Sequence, residues 1–556
     1  MTRTIVVIGG AGAGPVAAAR ARELDEHARI VLVEKKPHVS WVQAGLKHHL
    51  EGKVTRLAEL DEDRREFFAN RHRIELRTNT EAVRIDPDSH RLVVKNADGT
   101  LDTIRYDAAI FSGGAEVTPV GVEGLALGEP GVVGFRTVDD LAAIRAAVAA
   151  GAKTAVVVGM GPYGVDAAGG LQAAGLQVTA VDRQDRMLRT LSLLAARAAQ
   201  RALVKAGVHV KLGRGIKRVD VDGTKRVLHL DDGSTVQADI VVITTGLKPR
   251  TDFLAEAGAA VNADGSVRVN ERMETTLAGV YACGTAVSVT HAVTRAPLWL
   301  PQAAIATRTA QIAGHNAAAP NGKPETLSPL AGTAMYLVGD QRFAKTGLSE
   351  AEARSFLGDE RVFVVTVYGY AGEPWIGGDP LCVRLVVDRK DAVVVGGEVL
   401  GREGVPRRID ALAQAVGDGW SPSHVADIEM SYEATLGAAF DPLQIAGQVA
   451  AQALAGEAGP IGAEELALRV FKNDVCVLDV SKPTTQKDEP WPPSALHIPL
   501  EQLRDKLGEL PKDRPIVVVS HTGQRAYQAY RILKQRGFAD ARHLDGGALS
   551  YALTLD

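Results

Sequence analysis

Two glycine-rich loops carry the residues best suited to chemistry. The first, Gly9 to Gly14, follows the β-branched run TIVVI. Gly9 can take the tight turn, Ala11 is small enough for the backbone to approach a pyrophosphate, and Gly14 lets a helix pack on the strand. A helix opening there turns its free N–H groups and positive dipole end towards phosphate. Glu34, 25 residues beyond Gly9, is placed to accept both hydroxyls of a ribose, with Lys35 beside it. The second loop has Gly159, Gly161 and Gly164, and Asp182 lies 23 residues beyond Gly159. A carboxylate there favours NADH, because it repels the 2′-phosphate of NADPH. Arg183 and Arg186 pull the other way, which keeps NADPH as the alternative. Two nucleotide sites imply two cofactors, and a flavin with a nicotinamide fits best, hydride passing between stacked rings.

The elements that must hold these loops are legible in the apolar periodicity. Residues 4–9, an Ala/Arg-rich stretch through Leu24 and Ile30–Val33 read as strand, helix and strand, a βαβ unit. The grammar returns at Thr154–Gly159, a helix to about Ala174, and Val178–Val181. Tyr106–Gly114 and Asp239–Gly246 read as buried strands ending in small residues. Composition shifts to Pro, Gly, Asn and Ser near 320–330. Strand-like runs at Val362–Val367, Val383–Val387 and Ala392–Val399 then suggest an α+β module. A break at Gly456–Gly462 opens a small α/β segment with LDV, IPL and VVVS strands and a long helix.

The chain has 556 residues, enough for three or four domains. Lys and Arg total 63 against 67 Asp and Glu, a net charge of −4, which argues against a nucleic-acid partner or a polybasic membrane surface. Cys283, Cys382 and Cys476 form no CxxC pair and no disulfide framework. No apolar run reaches the ~18 residues needed to span a bilayer, and the N-terminus lacks a signal-peptide layout. A cytoplasmic protein is expected.

The stretch GGAGAGPVAAARARELDEHARIVLVEKKPHVSW resembles the opening of coenzyme A disulfide reductases and NADH-dependent persulfide reductases, which are flavoproteins. The similarity continues through VVVGMGPYGVDAA, ITTGLKPRTDFL, GVYACGTAV and DIEMSYEATLGAAFDPL. The last segment, with LDV, HIPL, LPKDRPIVVVSHTGQRAYQAYRIL and LDGG, resembles the rhodanese domain fused to some members. The fold this implies is α/β, with two Rossmann-like dinucleotide-binding domains, an α+β dimerisation domain and a rhodanese-like domain. The FAD-binding domain would span 1–115 and 246–325, a connection 116–150, the NAD(P)H-binding domain 151–245, the dimerisation domain 326–455 and the rhodanese-like domain 460–556. The resemblance implies FAD and NADH as cofactors, a homodimer, and Gly246, Gly284 and Thr285 among the cofactor-binding residues.

The chain departs from those relatives where their sulfur chemistry occurs. Their redox cysteine lies in S-F-x-N-C-G-L, and the corresponding residues here are Ser40, Trp41, Val42, Gln43, Ala44, Gly45 and Leu46. Alanine at 44 offers no thiolate. Lys47, His48 and His49 stand where relatives carry Pro-Tyr-Tyr. In the rhodanese-like loop, Ser520 replaces the sulfur-carrying cysteine, so sulfurtransferase activity is expected to be lost while Arg525 keeps an anion cradle. Thr285 replaces the aspartate that holds the ribityl chain.

What remains for catalysis is a short set. Arg20 and Arg22 fall where relatives hold the ADP end of coenzyme A, and solvated surface arginines are the bland alternative. Ser40 is grouped with them as a substrate-binding residue. Tyr432 in DIEMSY matches a tyrosine that relatives project across the dimer, and a phenol can donate a proton. His48, just past position 44, can act as an acid near the flavin. Tyr163, in the nicotinamide loop, is a gate or a packing residue. No third ligand accompanies His48 and His49, so no metal site is expected.

The leading expectation is an FAD-dependent NAD(P)H oxidoreductase passing electrons directly to an acceptor: a coenzyme A thioester with an activated double bond, a quinone or oxygen. One alternative is a catalytically degenerate nucleotide-binding regulatory or scaffold protein. Another is coenzyme A disulfide or persulfide reduction.

Overall fold

The computed structural model describes residues 2–41, 43–60, 66–483 and 495–555. It forms two compact units. The first comprises Met1–Asp185, Ala206–His291 and Arg295–Leu330, and the second Arg186–Lys205, Ala292–Thr294 and Ala331–Asp556.

The first unit holds both dinucleotide-binding sheets. One is parallel, with Thr4–Ile8 at its centre between Ala108–Phe111 and Arg29–Val33, and Val280–Ala282 and Glu75–Arg77 at its edges. These strands are runs of Val, Ile, Leu and Ala because helices and loops leave neither face wet. The helices Ala13–Leu24 and Ala303–Ala318 pack so closely that a Cβ at Gly314 would sit 2.4 Å from the Ala17 carbonyl oxygen. The second sheet runs His209–Lys211, Gln177–Val181, Thr154–Val158, Ile240–Ile243 and Val132–Val133, again parallel. An antiparallel ribbon pairs Ala115–Val117 with Leu247–Pro249.

The segment Arg186–Lys205 lies inside the sequence range expected for the NAD(P)H-binding domain but belongs to the second unit. Its helix Leu193–Lys205 is anchored at the start, where the Ser192 N–H and hydroxyl donate to Glu398 at 2.6 and 2.5 Å.

The second unit begins with an antiparallel sheet in the order Ala334–Val338, Gln341–Gly347, Val393–Gly401, Pro380–Asp388 and Val362–Tyr370. The helices Val405–Gly417 and Pro442–Leu454 share its apolar core. A parallel sheet follows: Pro460–Ile461, Ala541–Leu544, Ile516–Val519, Cys476–Asp479 and Leu496–His497. The IPL segment is not a strand. The strand ends at His497, and Pro499, which has no N–H to give a ladder, precedes the short helix Leu500–Leu503. Among the described residues, no helix is long and apolar enough to cross a membrane.

His543 is buried in this last sheet between Tyr527 and Tyr530, and burial, with Arg542 second, pushes its pKa down to about 4. The unfolded chain would protonate it near ~6.5. Its contribution is therefore complete above that value and lost as pH falls towards 4, for a total of about 3 kcal/mol. We expect the urea midpoint of the wild type to fall over this window more steeply than that of His543→Phe. Parallel curves would refute the assignment.

Candidate active site

The two glycine loops are built alike. Gly9 has φ +102°, and a Cβ there would lie 2.3 Å from the Ser112 carbonyl oxygen; at Gly14 it would lie 1.9 Å from that of Gly9. Gly159 has φ +98°, and a Cβ at Gly164 would lie 1.8 Å from the Gly159 oxygen. In both loops the helix therefore approaches the strand end as closely as backbone allows. By contrast, a Cβ at Gly12 or Gly161 would meet nothing within 4 Å. Those two glycines cap the helices Ala13–Leu24 and Pro162–Ala173 without any side-chain hydrogen bond. Open space beside uncapped N–H groups is what a pyrophosphate requires, so both loops fit a dinucleotide.

The acids are also used alike. Gly10 N–H donates to Glu34 Oε2 at 2.6 Å and Lys36 N–H to its Oε1 at 2.9 Å. Met160 N–H donates to Asp182 Oδ2 at 2.6 Å and Gln184 N–H to its Oδ1 at 2.9 Å. Each carboxylate thus clamps its own glycine loop and keeps lone pairs that a ribose could meet. Lys35 is exposed beside Glu34. Arg186 lines a cavity of the second unit. Gly246 has φ +112° and ends the strand Ile240–Ile243 through its N–H bond to Thr244 O. Thr244, which sequence reading passed over, donates its hydroxyl to the Val158 and Gly159 oxygens at 3.0 and 2.7 Å.

The flavin-side loop is completed by Gly284 and Thr285. Gly284 N–H donates to Thr309 Oγ1, and Thr285 O accepts from Trp299 Nε1, both at 3.0 Å. The Thr285 hydroxyl lies near Gly114, where a Cβ would be 3.6 Å from it. It can offer a hydrogen bond but no charge.

Ser40 meets the first loop, and Lys47 the helix that follows the second. Ser40 is buried with φ 60°, and its N–H donates to Gly10 O at 2.7 Å. Val42 lies outside the described residues. Gln43 Nε2 is shut from solvent without a hydrogen-bond partner among the described residues, an orphan donor that a ligand would satisfy. Ala44 is exposed and opens the helix Gly45–Leu50. Lys47, on that helix, is buried, and its Nζ lies 3.1 Å from Asp166 on the helix Pro162–Ala173. Sequence reading noted Lys47 only as a departure; the pair links the segment at position 44 to the helix that follows the second loop.

The two histidines diverge. His48 Nδ1 lies 3.0 Å from Glu51, which also takes Lys53 at 2.8 Å. Burial opposes ionisation of Glu51, but Lys53, His48 and Lys47 hold it below the usual carboxylate range. His49 Nε2 lies 3.0 Å from an Arg145 guanidinium nitrogen. Tyr163 packs under Arg136, 5.3 Å from guanidinium carbon to ring centre, and donates its hydroxyl to Pro301 O at 3.3 Å.

Arg22 requires a correction. It is neither a solvated arginine nor free for coenzyme A: it is buried and donates to the carbonyls of His72, Asp25, Glu26, Ala28 and Arg73. Those bonds tie the end of its helix to the next strand and satisfy oxygens that would otherwise be orphaned. Arg20 is half-buried and held by Glu23 at 3.1 Å and Glu325 at 3.0 Å.

In the second unit, Tyr432 is 60% exposed, with Leu436 and Phe440 exposed on the same irregular stretch. Ser520 is buried and accepts from Ala526 N–H at 3.1 Å. Arg525 does not stand free over its loop as expected. It donates to Val480 O at 2.9 Å and to both oxygens of Glu501 at 2.9 and 2.5 Å, which neutralises the charge an anion would seek.

Cys283 and Cys382 are buried and pushed up to about 12 by burial, and burial raises half-buried Cys476 as well.

Comparison with known proteins agrees with this construction. The family model of pyridine nucleotide-disulphide oxidoreductases matches residues 3–310, its dimerisation domain 333–441 and a rhodanese-like domain 462–553. An NADH oxidase of Methanocaldococcus jannaschii is 26% identical over 81% of this chain and 99% of its own. A coenzyme A-dependent NAD(P)H sulfur oxidoreductase of Pyrococcus abyssi is 27% identical over 80% of this chain and 98% of its own. The solved structure of an NAD-dependent persulfide reductase from A. fulgidus superposes with a TM-score of 0.90 at 28% identity, covering 98% of this chain and 99% of that one. Two matched dinucleotide loops, each with its clamping acid, and a family match over more than half the residues lead to one conclusion: the chain belongs to the pyridine nucleotide-disulphide oxidoreductases, enzymes that use FAD and NAD(P)H.

Proposed function

We propose that this flavoenzyme takes two electrons from NAD(P)H and delivers them to a coenzyme A-linked sulfur acceptor, a disulfide or persulfide, without a protein thiol as relay. When bound, FAD supplies the two-electron link between the nicotinamide and the acceptor. The balance is one NADH and one proton consumed per S–S bond cleaved, giving NAD⁺ and two thiols, or a thiol and hydrogen sulfide.

One observation carries the reading. The segment that reaches the first dinucleotide loop through Ser40 and the helix after the second loop through Lys47 carries alanine at 44. The names of the relatives favour a sulfur acceptor over the enoyl thioester, quinone or oxygen that the residues alone left open. Glu34 and Asp182 would orient the two nucleotides, Gly284 and Thr285 would hold the flavin side, and Arg20 would have to release Glu325 to meet a phosphate. His48, paired with Glu51, and Tyr432, exposed on the matched dimerisation domain, are the proton donors in this proposal. The exposed Trp375, Leu436 and Phe440 support a homodimer through that domain.

The test is anaerobic. NADH should bleach the flavin band without a thiolate-to-flavin charge-transfer absorbance, and coenzyme A disulfide or persulfide should restore it. Cys283→Ser, Cys382→Ser and Cys476→Ser together should leave turnover within about twofold. Trapping any of these thiols as a mixed disulfide during turnover would refute the relay-free path. Turnover with an enoyl thioester or quinone but no sulfur species would refute the acceptor. A yellow protein that NADH does not reduce would favour the degenerate, regulatory reading.

A further inference from the structure

A cavity of about 540 Å³ is lined wholly by residues of the second unit, none of them assigned to catalysis. Five arginines line it: Arg186, Arg354, Arg384, Arg389 and Arg542. Three are already neutralised. Arg354 and Arg384 share Glu350 at 2.9 and 3.3 Å, Arg384 also has Glu398 at 3.2 Å, and Arg542 has Glu465 at 2.6 Å. Among the described residues, Arg186 and Arg389 have no carboxylate partner.

Arg389 is held in place, with its guanidinium carbon 4.3 Å from the centre of the Phe363 ring. Burial lowers its pKa, and so do Arg542 and Arg354, whose like charges stand close to it. Cations gathered without a counter-ion cost energy unless an anion joins them.

The walls add to the same field. The N-terminal turns of three helices, Leu193–Lys205, Glu350–Leu357 and Ala463–Lys472, line the cavity. The Ser550 side chain, with its residue only 4% exposed, is also in the lining, beside the Tyr368 hydroxyl. Two carboxylates stand against an anion: Glu464 is exposed, and Asp545, pushed up to about 6 by burial, accepts from Thr366 N–H at 2.7 Å.

We propose that this cavity binds a phosphomonoester dianion between Arg186 and Arg389. Two unpaired guanidiniums match the charge of about −1.5 to −2 that such a group carries at neutral pH. The volume leaves room for an organic body of sugar or nucleoside size.

Calorimetry on the full-length flavoprotein tests this, with its dinucleotide sites saturated by NAD⁺ and chloride held at constant ionic strength. Orthophosphate and ribose 5-phosphate are the probes. Tighter binding of the sugar phosphate identifies an ester as the ligand, and equal binding identifies free phosphate; either supports the site. Arg389→Ala and Arg186→Ala should each weaken binding at least about tenfold, the loss of one charge-assisted contact, with NADH oxidation unchanged and Arg389→Lys intermediate. Neither probe binding, or both binding equally well to the double alanine variant, would overturn the proposal.

Discussion

Gly14→Val is expected to yield a protein without yellow colour. A Cβ at position 14 would lie 1.9 Å from the Gly9 carbonyl oxygen and 3.3 Å from Val7 Cγ1. Neither neighbour can yield, because the Gly9 N–H is bonded to Val33 O and Val7 is wholly buried in the central strand. The helix must then lift from the strand end, carrying away the N–H groups that face phosphate. Overpacking of this kind costs ~1–3 kcal/mol or more in stability. The displaced cradle should weaken FAD binding at least about a hundredfold, or ~3 kcal/mol. Absorbance of the purified variant, before and after incubation with excess FAD, measures both effects. Gly12→Ala is the control, because a Cβ there meets nothing within 4 Å. It should fold as the wild type does. A Gly14→Val protein that retains stoichiometric FAD would refute the assignment of this loop.

Arg408→Ala is expected to destabilise the second unit by about 3–5 kcal/mol, the range for removing one partner of a buried ion pair. Arg408 has no exposed surface and Asp441 is 1% exposed. The guanidinium meets Asp441 at 3.0 and 2.8 Å and also donates to the carbonyls of Gly404 and Ala371. Burial lowers its pKa, while Asp441 works to keep it charged. Asp441 in turn caps the helix Pro442–Leu454 and accepts from Arg407 at 2.8 Å. Losing the arginine leaves the buried Asp441 carboxylate to Arg407 alone, orphans the Ala371 carbonyl and loosens the stretches bearing Trp375 and Tyr432. Urea denaturation of wild type and variant at one protein concentration checks the magnitude. Asp441→Asn should cost at least as much, since it leaves the wholly buried Arg408 guanidinium without its counter-ion. A loss below about 1 kcal/mol for Arg408→Ala would show that the pair is not the anchor described.

Much of this architecture is legible in the chain, for local reasons. TIVVI and TAVVV are buried at every position after the leading threonine, so their apolar runs need no alternation to be recognised. The glycines at 9, 14, 159 and 164 are legible because only a residue without a side chain tolerates those carbonyl approaches. IPL misleads because apolar composition marks burial rather than conformation, and Pro499 decides the latter.

Side-chain partnership is where local reading stops. Arg20 and Arg22 share one helix, yet one meets carboxylates and the other a nest of backbone oxygens. Their fates depend on Glu325, His72 and Arg73, remote in sequence, and no spacing rule names those partners. Likewise Arg186, four residues past Asp182, lines a cavity whose other arginines begin at 354.

The order of residues alone thus determined two dinucleotide loops, their acids, and an alanine at position 44. Only the tertiary structure decided which charges are spent on the fold and which remain for a ligand. Charge is worth what its surroundings make it, and burial and distant partners enter only when the chain closes on itself.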